Sequence, residues 1–342
     1  MTKPKLSFWQ IWNLSFGFLG VQIGYSLQNS NTSSIFESLG ADVSHLSYFW
    51  LAAPLAGMIV QPIVGLFSDG TWTRWGRRIP YILGGSLIST LALVLMPNCP
   101  KLLAFAPLAM GAFILLFMDL SFNVTMQPFR ALVADMLDDS QKTQGYVVQT
   151  FLINLGAVVG AILPLVMTWL GVSDEAAPGH VSPHIAYSYY AGGAILLLTV
   201  LVTSFKTREY PPGEFARYNN LSDEGGAKPV SFAGLMRNVP GVMVRLGVTQ
   251  FFSWAALFLM WTYLKPAITG VVTDHATGEV LSAGATQTWV GVLNGTYPIP
   301  ACIAALFLGR VAARYGNKPV YAACSPGRWA SRGCACCTTS TR

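Results

Sequence analysis

Eight stretches of this chain run for about 20 residues each with hardly a charge. That spacing constrains the fold more than any other feature. The runs lie near 8–29, 46–67, 80–97, 102–127, 146–170, 185–205, 240–264 and 286–309. At about 1.5 Å rise per residue, a helix of about 20 residues crosses the roughly 30 Å hydrocarbon layer of a bilayer. Lipid offers no hydrogen bonds to the backbone, so only helices and closed barrels can span it. The runs therefore predict an all-α integral membrane protein. Composition agrees: 53% of the 342 residues are hydrophobic and 11% are charged, against about 25% charged in soluble domains. A soluble enzyme, a disordered chain and a disulfide scaffold are all poor fits. Dinucleotide and phosphate-binding loops, His-Glu-x-x-His and Gly-x-Ser-x-Gly are absent. The four histidines at 45, 180, 184 and 275 are scattered. No enzyme, metal or cofactor is expected. The first run holds Gln22, Gln28 and Asn29 and no small-residue cleavage pattern follows it, so it is read as a retained helix rather than a signal peptide.

Basic residues fix an orientation through the positive-inside rule. Lys3, Lys5, Arg74, Arg77, Arg78, Lys142, Lys206, Arg208, Arg217, Lys228, Arg237, Arg310, Arg314 and Lys318 fall on one side of the membrane, and only Lys101 and Lys265 on the other. This places the N-terminus and the 206–239 loop in the cytoplasm. It also accounts for the net charge of +6 without a nucleic-acid partner. The 206–239 segment carries Pro211-Pro212-Gly213 and Ser222 through Gly226, a linker composition. Six runs precede it, so 1–205 reads as a six-helix half, 206–239 as a linker loop and 240–324 as a partial second half. An internal repeat supports the division. Gly65 to Arg78 follows the second run of the first half, and Leu308 to Lys318 follows the second run of the other, each with Arg-x-Gly-x-Lys/Arg.

The residues from Gly65 to Arg78 resemble the signature loop between helices two and three of the major facilitator superfamily. Gly20 to Gln28, Trp50 to Gly65 with Ser68-Asp69, Asp119 to Asp135 and Gln250 to Trp254 are similar to helices one, two, four and seven of its sucrose/maltose-type proton–sugar symporters, the glycoside-pentoside-hexuronide group. The chain departs from the pattern at Gly70, where a basic residue is usual. It departs again at Met260-Trp261-Thr262-Tyr263, where plant members carry an acidic stretch, which suggests a bacterial-type member. The resemblance implies two six-helix halves, of which this chain holds one whole and part of the second. It also implies a monomeric proton-coupled symporter of an α-glucoside disaccharide such as sucrose or maltose, in a bacterial inner membrane. A sodium-coupled glycoside symporter or an efflux carrier of the same fold is the alternative within transport.

Candidate site residues follow from helical periodicity at about 100° per residue. Asp119, Asn123, Gln127 and Arg130 share one face of the fourth run. An ionised carboxylate in hydrocarbon costs several kcal/mol or more, and desolvation disfavours the charged form. Asp119 is therefore read as a group that loads a proton on one side and releases it on the other. Family resemblance assigns it proton coupling, and assigns Arg130 sugar contact or charge pairing. Gln22, Tyr25, Ser26 and Asn29 form a stripe on the first run whose donors and acceptors suit neutral hydroxyls. Gln61, Asn154 and Trp254 are single polar or stacking residues proposed to join the sugar site. Asp69 with Arg74, Arg77 and Arg78, and with Asp135, is read as a cytoplasmic gate of salt links.

Twelve spans would need about 240 helical residues before any connections, and eight end near 309. Residues 325–342 abandon hydrophobicity and period. The expectation is a frameshift or premature stop that removes helices nine to twelve. Such a chain, lacking most of one half, would be a transport-inactive membrane fragment, since transport of this kind rocks two halves about a central site.

Overall fold

The computed structural model describes residues 3–41, 52–103, 105–176, 179–219, 239–268, 283–296, 298–316, 319–320 and 323. Among them the structure is almost wholly helical, with one isolated antiparallel bridge between Thr73 and Gly76. Helix α1 spans Phe8–Ser38, α2 Ala52–Gly70 and α3 Ile79–Leu95, the last prolonged by a 3-10 turn and a short helical turn to Leu102. Helices α4 (Pro107–Met136), α5 (Asp139–Trp169) and α6 (Pro183–Lys206) follow, then a surface helix α7 (Pro212–Tyr218). Beyond the linker lie α8 (Gly241–Ile268), α9 (Ala283–Thr296) and α10 (Pro298–Tyr315).

Helix ends follow local chemistry. Ser7 and Gln10 form a reciprocal capping box that opens α1. Asp138 accepts from the Ser140 amide and hydroxyl to open α5, and these bonds hold its carboxyl below the usual carboxylate range. The run expected as one span near 286–309 is two helices. Pro298 and Pro300 cannot continue the preceding hydrogen-bond ladder but are tolerated in a first turn, so α9 stops at Thr296 and α10 begins at Pro298.

Among the described residues, four helices are long and apolar enough to cross a membrane: α3 with its extension, α4, α5 and α6. Apolar side chains such as Leu87, Leu91, Phe113 and Leu198 stand exposed on them, as expected of surfaces that meet acyl chains. Helix α1 is equally long but is diluted by amides and hydroxyls. It lies in the middle of the bundle, packed chiefly against α5 and α6 and also against α4, while α4 packs on α2 and α3. The core is continuous through Phe18, Phe36, Phe122, Phe129, Leu196 and Tyr189, all essentially inaccessible.

Small residues set the closeness of α1 to its neighbours, as membrane helix contacts require. A Cβ on Gly156 would lie 2.5 Å from the Leu19 carbonyl oxygen, and one on Gly160 would lie 2.5 Å from that of Ile23. The Gly156-x-x-x-Gly160 pair is what lets α5 touch the backbone of α1. Gly160→Leu should therefore destabilise the bundle by about 1–3 kcal/mol or more, read as a lower melting temperature in detergent. Gly84→Ala, a position with no atom within 4 Å of the added carbon, should leave the melting temperature unchanged or slightly raised.

Candidate functional site

Asp119 sits midway along α4 and is 2% exposed. Its Oδ1 accepts from Nε2 of Gln28, a fully buried amide on α1. Its Oδ2, also buried, has no hydrogen-bond partner, and neither has the Gln28 side-chain oxygen. One turn further along α4, Asn123 donates to the Asp119 backbone carbonyl at 2.8 Å and accepts from Gln61 of α2 at 2.6 Å. The column Gln28–Asp119–Asn123–Gln61 thus joins α1, α4 and α2 through neutral amides and one acid. No cation pairs with the acid among the described residues. A lone buried carboxylate would be left without compensation, whereas a neutral carboxylic acid fits these surroundings.

The remaining residues of the same α4 face differ in exposure: Gln127 is half-buried and Arg130 exposed. Arg130 lies within electrostatic reach of Tyr25, and Tyr25 meets Phe122 edge-on at 5.8 Å. The α1 stripe therefore divides between two neighbours. Tyr25 faces α4, while Ser26 donates to the Ala157 carbonyl at 2.8 Å and Gln22 lies against Gly156, both on α5. Asn29 is half-buried. Asn154 is bonded within its own helix, to the Thr150 carbonyl. Trp254 is 56% exposed on α8, a helix that packs mainly on α9. Neither residue is brought to the column.

The second cluster occupies the end of the bundle where the N-terminus, the 69–79 turn, the start of α5 and the segment after α6 meet. Leu6 exchanges two hydrogen bonds with Gln141, and Lys3 reaches the Ala134 carbonyl. Arg77 and Arg78, both buried, bind Asp135 at the end of α4, Arg78 through Nε at 3.0 Å. Arg78 also contacts Asp69 and Ser68 at 2.5 Å each. Arg77 stacks on Phe215 of α7, 4.2 Å from the ring centroid. Arg74 stands outside this cluster, exposed, over the Trp75 ring.

Glu209 completes the cluster. Its two oxygens accept from the backbone N–H groups of Arg77, Arg78 and Ile79 at 2.8–2.9 Å. One carboxylate thus supplies the cap that α3 lacks from its own side chains. Gly76 makes this possible. Its φ is +114°, and an added Cβ would meet Glu209 Oε1 at 2.5 Å.

Sequence periodicity misses Gln28 because it lies about 120° around α1 from Gln22, off the polar stripe. Its one signal is an amide in an apolar run. It misses Glu209, Ser68 and Phe215 because their partners are distant in sequence.

Comparison with known proteins places this geometry. The helical bundle resembles the crystal structure of tetrameric PepTSo2, with a TM-score of 0.53 over 89% of this chain and 71% of that one at 16% identity. At that identity the likeness shows a shared fold. The apolar helices define a multi-pass membrane protein. The description "MFS/sugar transport protein" matches residues 35–329, and the chain belongs to that family. Relatives include the general alpha-glucoside permease of Schizosaccharomyces pombe, 25% identical over 77% of this chain and 48% of the relative. The sucrose transport protein SUT5 of Oryza sativa subsp. indica is 25% identical over 84% of this chain and 57% of its own length. SUT1 of Oryza sativa subsp. japonica is 27% identical over 70% and 49%. These relatives are transporters rather than enzymes, and the chain spans about half their length.

Glu209→Ala strips three backbone donors of their acceptor and should cost about 1–3 kcal/mol. The expected result is a lower melting temperature together with faster proteolysis at the 69–79 turn. A control substitution at exposed Glu175 should leave both unchanged.

Proposed function

We propose that this chain carries the proton- and sugar-handling half of a proton-coupled symporter for α-glucoside disaccharides, sucrose or maltose. The observation that carries the proposal is Asp119: an acid in mid-helix, removed from water, bonded to a neutral amide and facing no cation among the described residues. A charge placed there costs roughly 2.5–3.5 kcal/mol or more. The group is therefore neutral in the state described and charged only when another conformation opens it to water. A carboxylic acid that exists in two environments can bind a proton from one side and discharge it to the other.

The residues that contact sugar are Gln22, Tyr25 and Asn29 of α1, Gln61 of α2, and Asn123, Gln127 and Arg130 of α4, of which Gln61 and Asn123 lie in the column with the acid. Amides and a phenol match a neutral polyol, and exposed Arg130 provides a strong donor for a ring or glycosidic oxygen. The family membership and the permease relatives support sugar as the cargo. The basic end faces the cytoplasm under the positive-inside rule. There Asp69, Asp135 and Glu209 tie Arg77, Arg78 and the start of α3 together, and the cluster acts as a latch that holds that end of the half closed.

The test uses vesicles containing this half joined to the second half of a family member, with radiolabelled maltose or sucrose. An inward proton gradient should drive accumulation, and a sodium gradient should not. Asp119→Asn should reduce gradient-driven accumulation to the level of empty vesicles while retaining sugar binding. Full accumulation by that variant, or accumulation that follows sodium, contradicts the proposal.

A further inference from the structure

The geometry points to Gln28 as the positioning residue for the Asp119 proton: the amide and the acid form a closed two-bond ring when Asp119 is protonated and lose half of it on deprotonation. This rests on the proton-coupling role proposed above for Asp119.

Two unsatisfied acceptors lie in one buried pair. Gln28 Nε2 already donates to Asp119 Oδ1, while Gln28 Oε1 and Asp119 Oδ2 are buried without partners. Buried orphan acceptors are costly, and each calls for a donor. A single proton on Oδ2 satisfies both atoms. It makes the acid a donor, and the unpartnered amide oxygen of the Gln28 side chain that already bonds its other oxygen is the available acceptor. The acid and amide then exchange N–H···O and O–H···O bonds in a planar ring. On deprotonation the proton leaves from Oδ2, the O–H electron pair stays on the carboxylate, and no covalent bond of Gln28 changes. The second hydrogen bond disappears, and two lone-pair-bearing oxygens are left facing each other in a low-dielectric site. The α1–α4 contact is closed by the proton and loosened without it.

Other ionisable groups on the helices around α4 stand apart from the pair. Glu37 lies in the last turn of α1, Asp69 at the end of α2 and Tyr81 in the first turn of α3. Asp139 and Lys142 bridge each other at the start of α5. Tyr25 has its ring on Phe122 three residues along α4, and the Tyr189 hydroxyl donates to the Leu27 carbonyl next to Gln28. On α4 itself, Arg130 is about 16 Å along the helix axis. The consequence for coupling runs through α1. The Gln28 carbonyl accepts from Thr32 at 2.6 Å, and Tyr189 of α6 donates to the Leu27 carbonyl beside it. This backbone segment follows directly on the stripe of Gln22, Tyr25 and Ser26. Protonation of Asp119 therefore sets the position of the helix that presents hydroxyl-binding groups.

The experiment is infrared difference spectroscopy on the full 342-residue chain in lipid nanodiscs, with the aspartate side-chain carboxyl carbons labelled with ¹³C. Wild type should show a protonated-acid carbonyl band that Asp119→Asn removes. In Gln28→Met, which keeps volume but has no amide, that band should move to higher wavenumber, toward a free acid. An unmoved band in Gln28→Met overturns the ring. Absence of any band lost in Asp119→Asn overturns the proton-coupling role as well, so the two failures are distinguishable. Should Gln28→Met not fold, wild-type protein labelled at the glutamine side-chain carbonyl decides. A glutamine band should shift in step with the loss of the acid band as pH rises, and a static glutamine spectrum overturns the inference.

Discussion

Hydrocarbon provides no hydrogen-bond partner, so every polar atom inside this bundle must find one in the protein. Most do so locally: Thr32, Ser89, Thr125 and Thr199 return their hydroxyls to carbonyls of their own helices. Amides reach further. Gln61 and Asn123 satisfy each other across α2 and α4, and Gln28 reaches across from α1 to Asp119. The acid has one oxygen held and the other left over, as is the side-chain oxygen of the same Gln28. The proposed function follows from that residual valence, because a protein group that can be completed by a proton is also one that can release it.

The same constraint shapes the packing that makes the column possible. Helix α1 carries too many polar groups to face lipid and is drawn to the centre, where Gly156 and Gly160 let α5 approach its backbone. At the basic end the problem is reversed. Water is nearby, but Arg77 and Arg78 are buried, and unpaired buried charges are costly. Asp135 and Asp69 meet that demand with carboxylates from two segments, while Glu209 takes the backbone N–H groups of the same turn. Removing one partner leaves a charge or a helix end exposed to an apolar neighbour, so the turn between α2 and α3 behaves as a unit with the end of α4 and the start of the linker.

The fold class was legible in the sequence because it depends on the length of apolar runs, which tertiary structure does not alter. The described helices α1 to α6 overlap the first six runs, residues 46–51 of the second run lying outside the described ones. Their ends extend further, since α1 reaches Ser38 and α4 reaches Met136 beyond the hydrocarbon length. The polar face of α4 was legible from period alone, and Asp119 stood out as an acid amid apolar residues. Its partner did not. Gln28 lies on a different face of α1 from the stripe, and periodicity within a helix cannot say which face meets which neighbour. Glu209 escaped for a related reason: its ligands are backbone N–H groups, which leave no trace in residue identity beyond the glycine at 76. Asn154 and Trp254 show the converse. An isolated polar or aromatic residue in an apolar run suggested a binding site; here Asn154 bonds its own helix and Trp254 is exposed on α8.

The central claim is that one proton and one sugar share this half of the molecule through Asp119. Calorimetric titration of the purified protein with maltose or sucrose tests it most directly, using buffers of different ionisation enthalpy near neutral pH to count protons exchanged on binding. The account predicts net proton uptake on sugar binding by the wild type and none by Asp119→Asn. Sugar binding by the wild type with no dependence on buffer ionisation, or identical proton uptake by the variant, would contradict it.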